Sequence, residues 1–347
     1  MKQIERLINS LNKKVVDRPP FICPGGMMNM IVTEVMKKTD CFWPEAHADA
    51  EKMAVLSMGA NRLAGIENLG VPFCMTVEAE AMGATVDLGS RESEPKVIGY
   101  ALSRMEDWET LSTLDVNTGR AKVCLDAIKI LKERMPEVPV IANLTGPVSL
   151  ATSLVDPLVY YRALHKNKEA AHKITRISTD NLIRFGDAMI LAGADVICIA
   201  DPSATGEILG KWVFDEFALP YLNEMAEHFR SNFGIPSIVH ICGDLKSLGD
   251  TLGQISAEAV SVDSVVSMKT LRSLAVGKVT MGNISTYLLE QGSAESVYKM
   301  GIASIVHGAD ILSPACGISP RTPIGNLKSL AKAASGASHP HWNEEES

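Results

Sequence analysis

The residues best suited to chemistry in this sequence are His240 and Cys242, which are separated by Ile241. If they lie on a β-strand, residues i and i+2 point to the same side, so the imidazole and the thiol converge. Cys316 lies 74 residues further along the chain, also after an apolar run. Zinc binds nitrogen and sulfur ligands of this kind, and three protein ligands with an open fourth position are typical of catalytic zinc sites. The spacing is therefore compatible with a catalytic zinc site.

Two other interpretations remain open on spacing alone. Cys242 or Cys316 could act as a nucleophile with His240 as its base. Alternatively, all three residues could pack in the core, because cysteine is among the residues most often buried. The other cysteines are expected to be buried thiols: Cys23, Cys41, Cys74, Cys124 and Cys198.

Further polar residues are predicted at the ends of other strands. Asp263 could be a fourth zinc ligand that substrate displaces, a carboxylate that orients His240, or a simple cap. Arg321, Asp201 and Asn283 are predicted to contact substrate, with Arg321 as the ligand of an anionic group because the last loops of barrels commonly bind anions. Arg321 could equally form a structural salt bridge, and Asp201 could form a turn with the proline that follows it.

The elements that would position these residues alternate regularly. Short apolar runs are each followed by a helical pattern, which predicts parallel strands joined by crossovers. Because there are eight runs, we predict an α/β fold with a single (β/α)8 barrel over residues 1–335 and a polar tail over 336–347. An N-terminal amphipathic helix and a β-hairpin over residues 71–89, after strand 2, complete the prediction. The eight predicted strands are Phe21–Gly26, Asn61–Glu67, Val138–Pro147, Asp195–Pro202, Pro236–Asp244, Ala259–Asp263, Val279–Ser285 and Asp310–Gly317.

Composition excludes several classes of protein. The chain has 347 residues with 33 Lys+Arg and 41 Asp+Glu, a net charge of −8, and no basic run that would indicate binding to nucleic acid or to an anionic membrane. Seven cysteines in a chain of this length indicate a reducing compartment rather than a disulfide scaffold. No signal peptide or membrane span is apparent, so we expect a soluble, cytoplasmic protein.

Three motifs in order carry a resemblance to a known family. They are GVPFCMTVEAEAMGA, DPSATGEILG and HICGD…CGISPRTP. Together they resemble the methylcobamide:coenzyme M methyltransferases of the uroporphyrinogen decarboxylase superfamily, over residues 1 to about 335. The resemblance implies a (β/α)8 barrel and places the zinc motif of the family on His240, Cys242 and Cys316.

The function implied by this resemblance is methyl transfer. A methylated corrinoid, held on a separate small protein, would donate its methyl group to a zinc-activated thiol, with coenzyme M as the expected acceptor. Three alternatives stay open: a different acceptor, a cofactorless lyase of the uroporphyrinogen decarboxylase type, and a corrinoid-protein partner that binds without turnover. The lyase is disfavoured because the segment Cys23–Ile31 contains no arginine to hold porphyrin carboxylates.

Overall fold

The computed structural model describes residues 1–337, so the predicted polar tail lies outside the described residues from position 338 onward. The helices are numbered along the chain. They are α1 (Gln3–Leu11), α2 (Thr33–Thr39), α3 (Ala50–Ala64), α4 (Val77–Ala81), α5 (Gly119–Arg134), α6 (Pro147–Leu154), α7 (Pro157–Lys166), α8 (Lys168–Ala192), α9 (Gly206–Phe217), α10 (Leu219–Phe233), α11 (Met268–Leu274), α12 (Thr286–Gln291), α13 (Ala294–Val306) and α14 (Ile324–Gly336).

Residues 1–337 contain nine strands, and those that coincide with predicted apolar runs are shorter than the runs. The strands are β1 (Leu69–Val71), β2 (Thr85–Asp87), β3 (Lys96–Gly99), β4 (Val140–Thr145), β5 (Val196–Ala200), β6 (Ser237–Ile241), β7 (Ala259–Val262), β8 (Val279–Ile284) and β9 (Ile311–Pro314).

One parallel sheet of seven strands forms the centre of the molecule. Its order is β1-β4-β5-β6-β7-β8-β9, and each neighbouring pair is parallel. Every residue of β4, β5, β6 and β7 is buried, as expected where both faces of a parallel sheet are covered and the strands are almost continuously apolar. The predicted α/β class with parallel strands is therefore confirmed.

The place of an eighth strand is taken by residues 20–26, which bond to both edges of the curled sheet. On one side, the Ile22 amide donates to the Leu312 carbonyl of β9 (3.0 Å), and the Leu312 amide donates to Pro20 (2.9 Å). On the other side, the Glu67 amide donates to the Phe21 carbonyl (2.8 Å). This segment forms two isolated bridges, Phe21 with Leu312 and Gly25 with Met28, rather than the regular strand predicted over Phe21–Gly26. The reason is that Pro24 has no amide hydrogen and the two glycines after it have positive φ angles of 106° and 59°.

The second predicted strand was wrong. Residues 61–64 of the predicted strand Asn61–Glu67 form the last turn of α3, and the true strand β1 begins at Leu69. Asp49 caps the amino end of α3, where its carboxylate accepts from the Lys52 amide (3.0 Å). Gly65, in the left-handed region (φ 79°), caps the carboxyl end. A helix cap and a terminal glycine therefore determine this segment, rather than its apolar residues.

The hairpin predicted over residues 71–89 also differs from the structure. After β1 the chain forms the short helix α4, whose Val-Glu-Ala-Glu-Ala sequence is rich in helix-forming residues. An antiparallel pair does follow, but it joins β2 to β3, and β3 lies wholly beyond the predicted segment. The N-terminal helix is present as α1, with Leu7 and Leu11 buried. Over residues 1–337, no helix combines the length and apolar character that crossing a bilayer requires.

A buried histidine stands apart from the sheet. His47 is 1% exposed, and its ring centroid lies 4.9 Å from that of Trp43 and 6.4 Å from that of Phe73. Among the described residues neither ring nitrogen has a hydrogen-bond partner. Burial, reinforced by the charge of Arg120, lowers the pKa of His47 to about 3. The side chain is therefore held neutral in the folded protein.

We expect His47 to make the protein less stable in acid. Its pKa is lower in the folded chain than the ordinary value of about 6.5, so its stabilising contribution is present above that value and is lost as pH falls toward 3. Between pH 7 and pH 5 this group should account for roughly 2 kcal/mol of lost stability. Urea unfolding of the wild type and of His47→Leu at both pH values measures the difference. An equal loss in the two proteins would contradict the assignment.

Candidate metal centre

The end of strand β6 positions the first two residues of the centre. His240 is fully buried and pairs in register with Ala200 of β5 and Ser261 of β7. Cys242 follows the last residue of the strand and is half-buried, whereas Ile241 between them is fully buried. The Nε2 atom of His240 lies 3.1 Å from the Sγ atom of Cys242, so the two side chains converge as the i, i+2 spacing predicts.

Cys316 completes the group from a distant strand. It follows β9, which lies three places from β6 in the sheet order, so only the curl of the sheet brings the two strand ends together. The Sγ atoms of Cys242 and Cys316 are 3.3 Å apart. One nitrogen and two sulfur atoms thus lie within 4.8 Å of one another at the carboxyl edge of the sheet.

Ser261 orients the imidazole. Its Oγ lies 3.0 Å from His240 Nδ1, which leaves Nε2 directed at the two sulfur atoms. A hydrogen bond of this kind on the second ring nitrogen is characteristic of metal-binding histidines. Sequence reasoning missed Ser261, although its place in the run AVSVD, in register with His240, marks it as a neighbour.

The two thiols together retain one proton in the metal-free protein. The hydrogen bond from Cys242, followed by one from His240, lowers the pKa of Cys316 to about 5. The same hydrogen bond, with burial and the negative charge of Cys316, raises the pKa of Cys242 far above its usual range. The first proton therefore leaves readily, and the second leaves only when a cation offsets two negative charges at short range.

This donor set fits zinc. Imidazole nitrogen with two thiolate sulfurs is a ligand set of catalytic zinc sites. His240 is held with Nε2 toward the two sulfurs, and the lowered pKa of Cys316 favours the thiolate that a metal binds. Cys242 and Cys316 are both partly exposed, which leaves access for a fourth ligand.

Asp263 lies close to the centre but outside the group of three. Its carboxylate accepts from Ser264 Oγ (3.1 Å) and from the Val265 amide (3.3 Å), as in a turn. Its charge nevertheless contributes to the raised pKa of Cys242, so the carboxylate acts on the site electrostatically. Asn283, predicted to contact substrate, donates instead to the carbonyls of Asp263 (2.9 Å) and Val266 (2.6 Å) and holds this loop in place.

Asp201, which is predicted to contact substrate, lies directly after β5, and its carboxylate bonds to the start of a neighbouring helix. It is fully buried and accepts from the amides of Val148 (3.2 Å) and Ser149 (2.7 Å), and from Ser149 Oγ (2.7 Å). Asp201 therefore caps the first turn of α6 from a neighbouring strand. Burial, opposed by these hydrogen bonds, raises its pKa to about 6.

Arg321 lies in the loop after β9 and is 69% exposed at its side chain. Its Nε donates to Glu290 (3.0 Å), so the salt bridge considered from the sequence is present. Of the five cysteines expected to be buried, Cys41 is only partly buried and the other four are buried.

Glu94 was not singled out from the sequence. It belongs to the loop between β2 and β3, and burial, followed by the charge of Cys316, raises its pKa to about 8. The β2–β3 hairpin therefore places the carboxyl group of Glu94 close enough to Cys316 for the charge of that thiolate to raise its pKa. Nothing in the polar run SRESEP singles out Glu94, because Arg91 and Glu92 are charged as well and the pattern is typical of an exposed loop.

Comparisons with known proteins agree with this fold. The family model for uroporphyrinogen decarboxylase (URO-D) matches residues 2–336, so the chain belongs to the uroporphyrinogen decarboxylase family. Methylcobamide:CoM methyltransferase MtbA of Methanosarcina acetivorans is 33% identical over 332 residues, covering 95% of this chain and 96% of that one. Methylcobamide:CoM methyltransferase MtaA of Methanosarcina barkeri is 30% identical, covering 94% of this chain and 96% of its own.

A solved methyltransferase from Methanosarcina mazei has the same fold. Its TM-score is 0.89 at 29% identity, covering 96% of this chain and 98% of that chain. Within the family, the predicted membership among the methylcobamide:coenzyme M methyltransferases is confirmed by these relatives.

Proposed function

We propose that this enzyme transfers a methyl group from a methylated corrinoid to a thiol, with coenzyme M as the acceptor. The observation that carries the proposal is the convergence of His240 Nε2 with the sulfurs of Cys242 and Cys316 at the carboxyl edge of the sheet. Active sites of barrel enzymes lie at this edge. We further propose that residues 20–26 stand in for the missing strand, so that the chain functions as a closed (β/α)8 barrel.

Three side chains would hold zinc in this proposal: His240, Cys242 and Cys316. Bound zinc would lower the pKa of an acceptor thiol and thereby supply a thiolate near neutral pH. Ser261 fixes the ring of His240. Asp263 is proposed as a fourth ligand in the absence of acceptor, one that leaves its place when the thiol binds.

Arg321 is proposed as the residue that binds the anionic end of the acceptor. Its guanidinium is largely exposed in the loop after β9, the strand that precedes Cys316. A guanidinium presents several N–H donors in a planar fork that suits the oxygens of a sulfonate. Neutralisation of Arg321 should therefore raise the KM for coenzyme M more than the KM for an uncharged thiol.

The donor of the methyl group is proposed to be a corrinoid carried by a separate protein. We also propose that the enzyme works in the cytoplasm. Two free sulfurs 3.3 Å apart stay reduced only where the surroundings are reducing.

Demethylation of free methylcobalamin with a panel of acceptors tests the proposal. We expect zinc-loaded protein to convert methylcobalamin with coenzyme M, to act more slowly on 2-mercaptoethanol and to lose activity after chelation of the metal. Cys41→Ala is a matched control because it removes a partly exposed thiol far from the ligand set in sequence. Decarboxylation of uroporphyrinogen without methyl transfer to any acceptor would support the lyase instead.

A further inference from the structure

The exposed aromatic residues are unevenly distributed over the surface. Among the described residues, the strongly exposed ones are Trp212 at 88%, Tyr287 at 77% and Tyr100 at 46%. Trp212 follows β5 and Tyr287 follows β8, and each precedes the helix that returns to the amino end of the central sheet, whereas Tyr100 directly follows β3 of the two-stranded sheet. Exposed apolar residues on the amino side are aliphatic: Val15, Leu191, Val276 and Val306.

Trp212 lies on a helix that belongs to the carboxyl side. The first turn of α9 packs on the loop that follows Cys242: Ser247 Oγ donates to the Gly206 carbonyl (3.0 Å), and the Asp244 amide donates to Glu207 (3.2 Å). The return to β6 is made by α10, whose 15 residues extend for about 22 Å at 1.5 Å per residue. Helix α9 is therefore free to remain on the carboxyl side of the sheet.

Tyr287 and Val265 lie in the same sector. Tyr287 is in α12, which begins directly after β8, while α13 is the helix that runs back toward β9. Val265 is 55% exposed in the loop after β7, which Asn283 ties to β8. In the sheet order, β6 and β7 lie between β5 and β8, so Cys242, Asp263 and Val265 follow strands that lie between the two crossovers carrying Trp212 and Tyr287.

We propose that Trp212 and Tyr287, with Val265 on a loop between them in the sheet order, form the docking surface for the protein that carries the methylated corrinoid. This inference rests on the proposed function. A methyl group bound to a carrier can reach a thiol at this centre only if the carrier covers the carboxyl side. Large aromatic side chains are the residues most enriched as energetic anchors of protein interfaces, and an exposed tryptophan leaves apolar surface in water that a partner would remove.

The test compares two methyl donors with the same variants. One donor is free methylcobalamin, and the other is a cobamide-binding protein charged with a methyl group, chosen because the wild type demethylates it faster than free methylcobalamin at equal corrinoid concentration. We expect Trp212→Ala and Tyr287→Ala each to lower kcat/KM for the charged protein about tenfold or more, as loss of an interface anchor does. The rate with free methylcobalamin should stay within twofold of the wild type.

Leu191→Ala is the matched control, since Leu191 is 78% exposed and lies at the end of α8 on the amino side. It should affect neither donor. Equal losses with both donors would overturn the docking assignment, as would the absence of any charged protein that outperforms free methylcobalamin. A wild type that fails with free methylcobalamin as well would instead overturn the proposed function.

Discussion

Replacement of His240, Cys242 or Cys316 by alanine is expected to abolish tight zinc binding without unfolding the protein. Each substitution removes one of three converging donors. The loss of affinity should exceed the roughly 10- to 100-fold that follows the loss of a hydrogen bond to a metal ligand. A chain of 347 residues buries a large core of its own and does not depend on a metal to fold. Metal content after dialysis, with circular dichroism of the same samples, measures both effects.

Two further variants make this prediction sharper. Ser261→Ala leaves the donors in place and removes only the hydrogen bond to His240 Nδ1, so it should fall between the wild type and the ligand variants. Cys198→Ala removes a buried thiol of β5 and should keep full metal content. Collapse of the far-ultraviolet signal in the metal-free wild type would mean that the metal is structural, which contradicts the assignment.

Binding of a small thiol to the zinc-loaded enzyme near pH 7 is expected to release about one proton. A free thiol is mostly protonated at this pH, because its ordinary pKa is about 8.5, whereas the proposed reaction needs the thiolate. Isothermal titration in two buffers of different ionisation enthalpy gives the number of protons directly.

The Cys316→Ala variant provides the control at matched pH. It should release no proton on addition of the thiol, because the donor set is incomplete. Tight binding of the thiol with no proton release would show that the thiol enters protonated or does not reach the centre, and the proposed mechanism would then be wrong even with zinc bound.

The donor set could be predicted from the sequence for two reasons. The spacing of His240 and Cys242 is local, and the position of Cys316 follows from the topology of the sheet. The i, i+2 rule places His240 and Cys242 on one face, and a parallel sheet that curls brings the ends of β6 and β9 together. The helix cap that Asp201 forms was harder to predict from the sequence. Asp201 ends a strand like the other candidates, but its carboxylate meets the start of α6, a contact that depends on how a helix lies against the sheet.

The errors in the strands have a common cause. Both Phe21–Gly26 and Asn61–Glu67 were predicted from their apolar residues. Apolar residues do not reveal whether backbone N–H groups are available for a strand, or whether the segment belongs to a helix that began earlier in the chain. Proline and glycine decide the first case, and the Asp49 cap with Gly65 decides the second. Glu94 could not be found, because its position depends on the path of the loop between β2 and β3.

The distance along the chain between the two halves of the donor set has a mechanical consequence. Strands β7 and β8 lie between β6 and β9, so an ion bound by His240, Cys242 and Cys316 closes a loop of 74 residues across the sheet. Such a cross-link removes conformational freedom from partly opened states. Amide hydrogen exchange in β7, β8 and β9 should therefore slow when a metal binds, while exchange in β4 stays the same. A metal ion bound for methyl transfer would then also restrict local unfolding of one half of the sheet.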